Sequence, residues 1–222
     1  MSSTNARGGP EPTITETVAG PREQTHTVVI VLPGGRARDR SPSRSTRLAN
    51  LRMIPVAAAA ARAITDGRVA VWRLRYRYRG WNEPYLDPVQ DLRWALDEAR
   101  ERHPGARVVL VGHSMGGRTA LYAAGDRSVV AVCALAPWIE PGDPVHQVAG
   151  RRLLLVHGDR DRVTNPGGSR WFAAQARGVA ASVRLVTMAG DGHAMVRRWR
   201  EWHALVRNFV AGVGAASHDQ HP

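Results

Sequence analysis

Val108-Val109-Leu110-Val111-Gly112-His113-Ser114-Met115-Gly116 is the stretch that decides the reading of this chain. Four consecutive apolar residues are what a strand covered on both faces requires. The segment that follows, Gly117 to Ala124, is rich in small residues and closed by Gly125, the composition of a helix with a stop signal. Gly-x-Ser-x-Gly between the two predicts a sharp strand-to-helix turn with Ser114 at its apex. Such a turn forces the serine into strained dihedrals, and its hydroxyl stands clear of the backbone. Met115 then offers its backbone N–H in the first helical turn, where the dipole favours a developing negative charge. Five residues thus hold a candidate nucleophile and one candidate oxyanion donor.

Working outward, five more apolar runs read as strands: His26 to Leu32, Arg68 to Leu74, Val129 to Leu135, Arg152 to His157 and Ser182 to Thr187, with Arg107 to Val111 as the elbow strand. Several are continuous rather than alternating, and helical patterns lie between them. The expected fold class is therefore α/β, a doubly wound, mostly parallel sheet of about six strands with helices on both faces. Asp87-Pro88 with Gln90 reads as an N-cap, a proline at the first helical position and a capping-box partner, followed by an apolar face of Val89, Leu92, Leu96 and Ala99. Trp199, Trp202, Val206 and Phe209 give the last helix a similar core-facing stripe. In the second strand Arg73, Arg75, Arg77 and Arg79 alternate with Leu74, Tyr76 and Tyr78, the pattern of an edge strand guarded by charge.

At 222 residues the chain is long enough for one well-cored domain, placed here at residues 26–212. Residues 1–25 and 213–222 are expected to be flexible tails, the first rich in Ser, Thr, Gly, Pro and Glu, unless Thr13 to Val18 forms a further strand. No apolar stretch suits a signal peptide or a membrane span. The lone cysteine, Cys133, cannot form an internal disulfide, so the expected address is cytoplasmic. The net charge is +12 and all the basic residues are arginine. They are scattered without a nucleic-acid motif, so neither a specific nucleic-acid partner nor a membrane partner is expected, only a small-molecule substrate. The oligomeric state is left open.

A serine nucleophile needs a base and an acid to orient that base. His193, in Gly190-Asp191-Gly192-His193-Ala194 after the last strand, is the candidate base. Loops at the C-terminal ends of parallel strands are where such sheets build sites. The penultimate strand runs into His157-Gly158-Asp159-Arg160-Asp161-Arg162-Val163, which offers two aspartates.

With elbow, acid loop and histidine loop in this order, the chain resembles the α/β-hydrolase family from His26 to Val210. Members often show His-Gly-x-x-Asp-x-x-Val after the penultimate strand, and the resemblance selects Asp161, leaving Asp159 as a turn residue. Asp143, beyond the preceding strand, is a more remote candidate. The family's second oxyanion donor follows the first strand, often at a His-Gly pair. Here the chain reads Pro33-Gly34-Gly35-Arg36, which points to the Gly35 N–H, with Arg36 as alternative. A serine at 114 sets the chain apart from the epoxide-hydrolase and dehalogenase branches, which attack through a carboxylate.

The resemblance implies a minimal, lidless member, because only 15 residues separate Leu135 from Arg151. Small or soluble carboxylic esters are then the expected substrates, cleaved through an acyl-enzyme without metal or organic cofactor. A peptidase or amidase, a thioesterase, a perhydrolase, or a non-catalytic binding protein on the same fold are the alternatives. Arg36, Tyr78, Trp81 and Trp138, in loops near strand C-termini, are candidates for substrate contact, with Tyr85 as a further rim residue. His113 is expected to point away from the nucleophile, and His157 to pack at a strand end.

Overall fold

Valine, leucine and isoleucine fill both faces of the central strands, and the sheet is covered on both sides as a result. The computed structural model describes residues 9–18, 25–63 and 68–215. Among the described residues seven strands form one sheet: β1 (Thr13–Val18), β2 (Thr27–Leu32), β3 (Val69–Arg75), β4 (Arg107–His113), β5 (Val129–Leu135), β6 (Arg152–Gly158) and β7 (Ser182–Met188). Their spatial order is β1-β3-β2-β4-β5-β6-β7. All neighbours are parallel except β1 and β3. The order reverses direction at β2 and β4, and the crevice above the C-terminal ends of these strands is where an open α/β sheet binds ligands.

Helices α1 (Leu48–Leu51), α2 (Met53–Ala61), α3 (Asp87–Arg102), α4 (Met115–Ala123), α5 (Pro166–Ala176) and α6 (Trp199–Ala215) complete the layers. One core packs Ile30, Trp72, Leu92, Leu96, Leu110 and Phe172 under α3, α4 and α5. The other packs Val29, Val31, Val111, Cys133 and Val156 beneath α2 and α6, with Trp202, Val206 and Val210 pointing in. Alternate residues of one strand serve opposite cores, as the period of two requires. Burial drives the Cys133 thiol upward in pKa, so it stays a neutral packing group.

Several expectations need correction. Thr13–Val18, inside the expected N-terminal tail, is strand β1 and pairs with β3 in antiparallel register, Ile14 opposite Leu74. The folded unit therefore begins before residue 26, and β3 is not an edge. The arginines at 75, 77 and 79 are bonded rather than displayed to solvent. Arg75 reaches Thr13 Oγ1 at 3.0 Å and the Ser43 carbonyl at 2.7 Å. Arg77 pairs with the buried Asp91, which also accepts the Arg77 N–H at 2.8 Å. Arg79 pairs with Asp39 at 3.0 Å.

The capping box at α3 does not form either. Leu86, in the left-handed region, occupies the cap, and Asp87 instead accepts from Asn82 Nδ2 at 2.8 Å. Gln90 Nε2 donates to the Tyr85 carbonyl. On α6 the buried stripe is Trp202, Val206, Val210 and Val213, while Trp199 is 50% exposed. Because Val213 is buried in that helix, the domain continues into the stretch expected as a C-terminal tail. Among the described residues no helix is long and apolar enough to cross a membrane.

Candidate active site

Ser114 sits between β4 and α4 with φ 57° and ψ −119°, a conformation that side-chain-bearing residues rarely adopt. The turn closes only because its flanks lack side chains. A Cβ on Gly112 would lie 2.2 Å from the Gly116 carbonyl oxygen, and one on Gly116 would lie 2.4 Å from that of Leu32. The Ser114 N–H donates to the Leu135 carbonyl at 2.9 Å, and its own carbonyl accepts from Trp138 N–H at 3.1 Å. The backbone is thus pinned to β5 and to the segment after it.

His193 and Asp161 arrive from the two loops anticipated. His193 Nε2 lies 3.0 Å from Ser114 Oγ, and His193 Nδ1 lies 2.8 Å from Asp161 Oδ2. The Asp161 side chain is fully buried. Burial pushes its carboxyl upward, but the Thr164 N–H, the His193 imidazole and the Val163 N–H outweigh burial and hold it below the ordinary carboxylate value. Asp159 faces elsewhere and accepts from the Gly190 N–H at 2.7 Å, fastening the acid loop to the histidine loop.

Three supports escaped the sequence reading. The Thr164 hydroxyl lies 2.9 Å from Asp161 Oδ2. His157 does more than pack: its Nε2 is 3.2 Å from Asp161 Oδ2, while its Nδ1 is 2.7 Å from Ser169 Oγ. The Asp191 carboxylate, 1% exposed, accepts from Trp202 Nε1 at 2.8 Å, from Arg198 N–H at 3.1 Å and from Gly192 N–H at 2.8 Å. It thereby ties the His193 loop to α6. The His-x₃-Asp spacing of 157 and 161 was the one signal in the sequence that pointed to any of these.

His113 braces the same loop. It is buried, its Nε2 donates to the His193 carbonyl at 2.9 Å, and its ring lies 4.7 Å from that of His193. Burial, with the neighbouring His193, pushes its pKa from 6.5 down to about 3. Between those values the unfolded chain binds a proton at this position that the folded chain refuses. Folding stability present above pH 6.5 should therefore drain away as pH falls toward 3, by at most about 5 kcal/mol from this group. Denaturant titrations at pH 7, 5 and 4 on wild type and His113→Gln should show the steeper acid loss in wild type; parallel profiles would remove His113 as the cause.

The second oxyanion candidate is placed against the first. A Cβ on Gly35 would overlap the Met115 side chain at 2.3 Å, so Gly35 lies directly on the residue after Ser114. The Arg36 N–H donates to the Arg79 carbonyl at 2.9 Å, which removes Arg36 as the alternative donor. Tyr78 and Arg36 line an open cleft beside Gly35. Trp81 corrects its expectation: at 1% exposure its ring belongs to the core, edge-on to Tyr122 and Trp138, and is no substrate wall. Trp138 is half-buried and held beside Ser114 by its N–H, whereas Tyr85 is exposed under Arg40.

A family model described as alpha/beta hydrolase fold matches residues 28–186. The chain belongs to the α/β-hydrolase family. Solved structures agree on the fold. An α/β serine hydrolase homologue from Coxiella burnetii is 20% identical, with 88% of this chain and 89% of that chain covered and a TM-score of 0.61. An α/β serine hydrolase without a lid from Xanthomonas campestris is 20% identical over 90% and 88% of the two chains, TM-score 0.64. Est1E from Butyrivibrio proteoclasticus is 16% identical over 92% and 94%, TM-score 0.66. No curated protein matches the sequence.

In this α/β-hydrolase the span between β5 and β6 carries only a 3₁₀ turn, Val145–Val148, and is bolted down rather than free to form a cap. Asp143 takes both Arg118 Nε, at 3.0 Å, and Arg118 Nη2, at 2.7 Å, and also accepts from the Tyr122 hydroxyl at 2.7 Å. The Arg118 guanidinium is held between the rings of Trp81 and Trp138, 4.5 Å from each. Asp143 is fully engaged by Arg118 and Tyr122. It is therefore no alternative partner for His193.

Proposed function

We propose that this protein hydrolyses carboxylic esters, with Ser114 as nucleophile, His193 as general base and Asp161 as the acid that orients it. The observation that carries the reading is the unbroken line of hydrogen bonds from Ser114 Oγ through His193 to Asp161, 3.0 and 2.8 Å long, above the C-terminal ends of the strands. His193 Nε2 takes the hydroxyl proton as Oγ attacks the acyl carbon. The tetrahedral oxyanion is received by the N–H groups of Met115 and Gly35. His193 then passes its proton to the departing alkoxide, and an acyl-enzyme remains. Water, deprotonated by the same imidazole, releases the acid and restores Ser114.

Asp161 serves in this scheme as a carboxylate that keeps Nδ1 protonated, so Nε2 is left as the acceptor facing serine. Its lowered pKa keeps it ionised through the neutral range. With no cap domain over the crevice among the described residues, small or soluble esters suit the site better than long acyl chains that need enclosure. A Pyrococcus furiosus protein of similar fold is described as an esterase and one from Caldicellulosiruptor lactoaceticus as an acetyl ester-xyloside bifunctional hydrolase, which favours oxygen esters over amides.

A fluorophosphonate probe is expected to label wild type at Ser114 and to leave Ser114→Ala unlabelled. A panel of short-chain ethyl esters, thioesters and aminoacyl amides should show the highest kcat/KM on an ester. Labelling at another residue, or faster turnover of amides across the panel, would overturn the assignment.

A further inference from the structure

The ester reading leaves open which esters, and the surroundings of the glycine pair bear on that. A cleft of about 310 Å³ opens beside Gly34 and Gly35 and is walled by Arg36, Arg47, Tyr78 and Arg79. That volume is at the small end of ligand pockets. Gly34 also touches the nucleophile's side of the turn, since a Cβ there would lie 3.3 Å from Ser114 Cβ. The cleft and the elbow therefore share one wall.

The charges around it do not cancel. No Asp or Glu is among the residues lining the cleft. Arg36 and Arg79 share a single carboxylate, that of Asp39, at 4.0 and 3.0 Å. Arg47 makes no ion pair with any described residue. Three guanidinium groups thus face one neighbouring carboxylate, and the loop that carries two of them is fixed. The Arg36 N–H bonds the Arg79 carbonyl, the Arg36 carbonyl accepts from Trp81 N–H, and Ser43 N–H bonds the Arg77 carbonyl, at 2.9, 2.8 and 2.9 Å. Guanidinium groups carried on a fixed loop beside a reacting centre can receive a carboxylate.

Topology says which half of the ester carries it. His193 follows β7, so it approaches Ser114 from the β6–β7 side of the sheet, whereas the cleft is built from the residues after β2 and β3, on the opposite side. The imidazole must reach the leaving oxygen to protonate it, which puts the alcohol on its own side. The acyl chain is then directed toward β2 and β3. We propose that the cleft binds a carboxylate at the far end of the acyl group, and that the substrates are half-esters of short dicarboxylic acids, an inference that rests on the ester-hydrolase reading above. The ester C–O bond breaks as Ser114 Oγ bonds the acyl carbon, and the alkoxide leaves with the proton from His193. Water then supplies the oxygen and the protons that release the free dicarboxylate and regenerate the serine.

Monoethyl glutarate and ethyl pentanoate differ at the chain end by carboxylate against methyl, and ethanol release measures both. In wild type at low salt the ratio of kcat/KM, charged over neutral, is expected at about ten or more, since each partly solvated pair is worth a few-fold. It should shrink as salt is raised. In the double variant Arg36→Gln/Arg47→Gln the ratio should fall close to one, and in Arg177→Gln, at the C-terminal cap of the distant α5, it should stay at the wild-type value. A wild-type ratio near one, or a ratio that survives the double variant, overturns the carboxylate cleft while fluorophosphonate labelling of Ser114 and turnover of ethyl pentanoate leave the hydrolase reading standing. Failure of both esters together with absence of labelling overturns both.

Discussion

Ser114→Ala is expected to lower turnover of the best ester by on the order of a million-fold, the loss seen when the serine of an unrelated triad is removed. The change deletes one atom, Oγ, whose hydrogen bond is to His193 Nε2 at 3.0 Å. Alanine tolerates the strained φ of 57° no worse than serine does, and the Ser114 N–H and carbonyl keep their bonds to Leu135 and Trp138. Folding should therefore be unaffected: the circular dichroism spectrum and the thermal midpoint should match wild type while single-turnover acylation disappears. Residual hydrolysis above background would come from the Met115 and Gly35 N–H groups acting on bound ester. A loss below a hundredfold, in protein free of wild-type carry-over, would show that another group attacks the acyl carbon.

Physical locality explains why the candidate site is legible in the chain alone. The elbow is written in five consecutive residues, because the crowding that excludes side chains at Gly112 and Gly116 acts within one turn. The acid and histidine loops are each legible for a similar reason: a continuous apolar run, then glycine beside a polar residue, marks the C-terminal end of a buried parallel strand.

What the sequence hid depends on partners far along the chain. Thr-Ile-Thr-Glu-Thr-Val has the β-branched residues of a possible strand, but its partner β3 lies about sixty residues on, and nothing local announces that pairing. The alternation of arginines from Arg73 to Arg79 has the period of an exposed face, yet Asp91, Asp39 and Thr13 meet three of them from separate segments. Likewise Asp87 satisfies every local rule for a helix cap, but Asn82 offers it a closer donor and the cap passes to Leu86. Periodicity reports which residues face the core. It does not report which carboxylate a given guanidinium will meet, so the Arg118–Asp143 bolt and the Asp191–Trp202 tie became visible only in three dimensions.

Asp161→Asn tests the remaining link and is expected to reduce kcat about ten-thousand-fold with little change in KM. Both oxygens of Asp161 accept. Oδ1 takes the N–H groups of Val163 and Thr164 at 2.8 and 3.0 Å, and Oδ2 takes His193 Nδ1 at 2.8 Å with the Thr164 hydroxyl and His157 close by. An asparagine has only one acceptor oxygen, and the two backbone donors cannot rotate away, so the oxygen stays with them. The NH₂ then points at Nδ1 and donates to it. His193 is driven into the tautomer with its proton on Nε2, and that nitrogen can no longer take the proton from Ser114. Fluorophosphonate labelling should slow in parallel with ester turnover, because both reactions need the same deprotonation, while substrate affinity is set elsewhere. Stability should drop by roughly 1 to 3 kcal/mol, the cost of a buried network left with mismatched donors. Were either neighbouring aspartate the true partner, the change would cost little: Asp159 is held by Gly190 and Asp143 by Arg118. A variant that keeps more than a tenth of wild-type kcat would therefore break the chain of hydrogen bonds on which the acid's role rests.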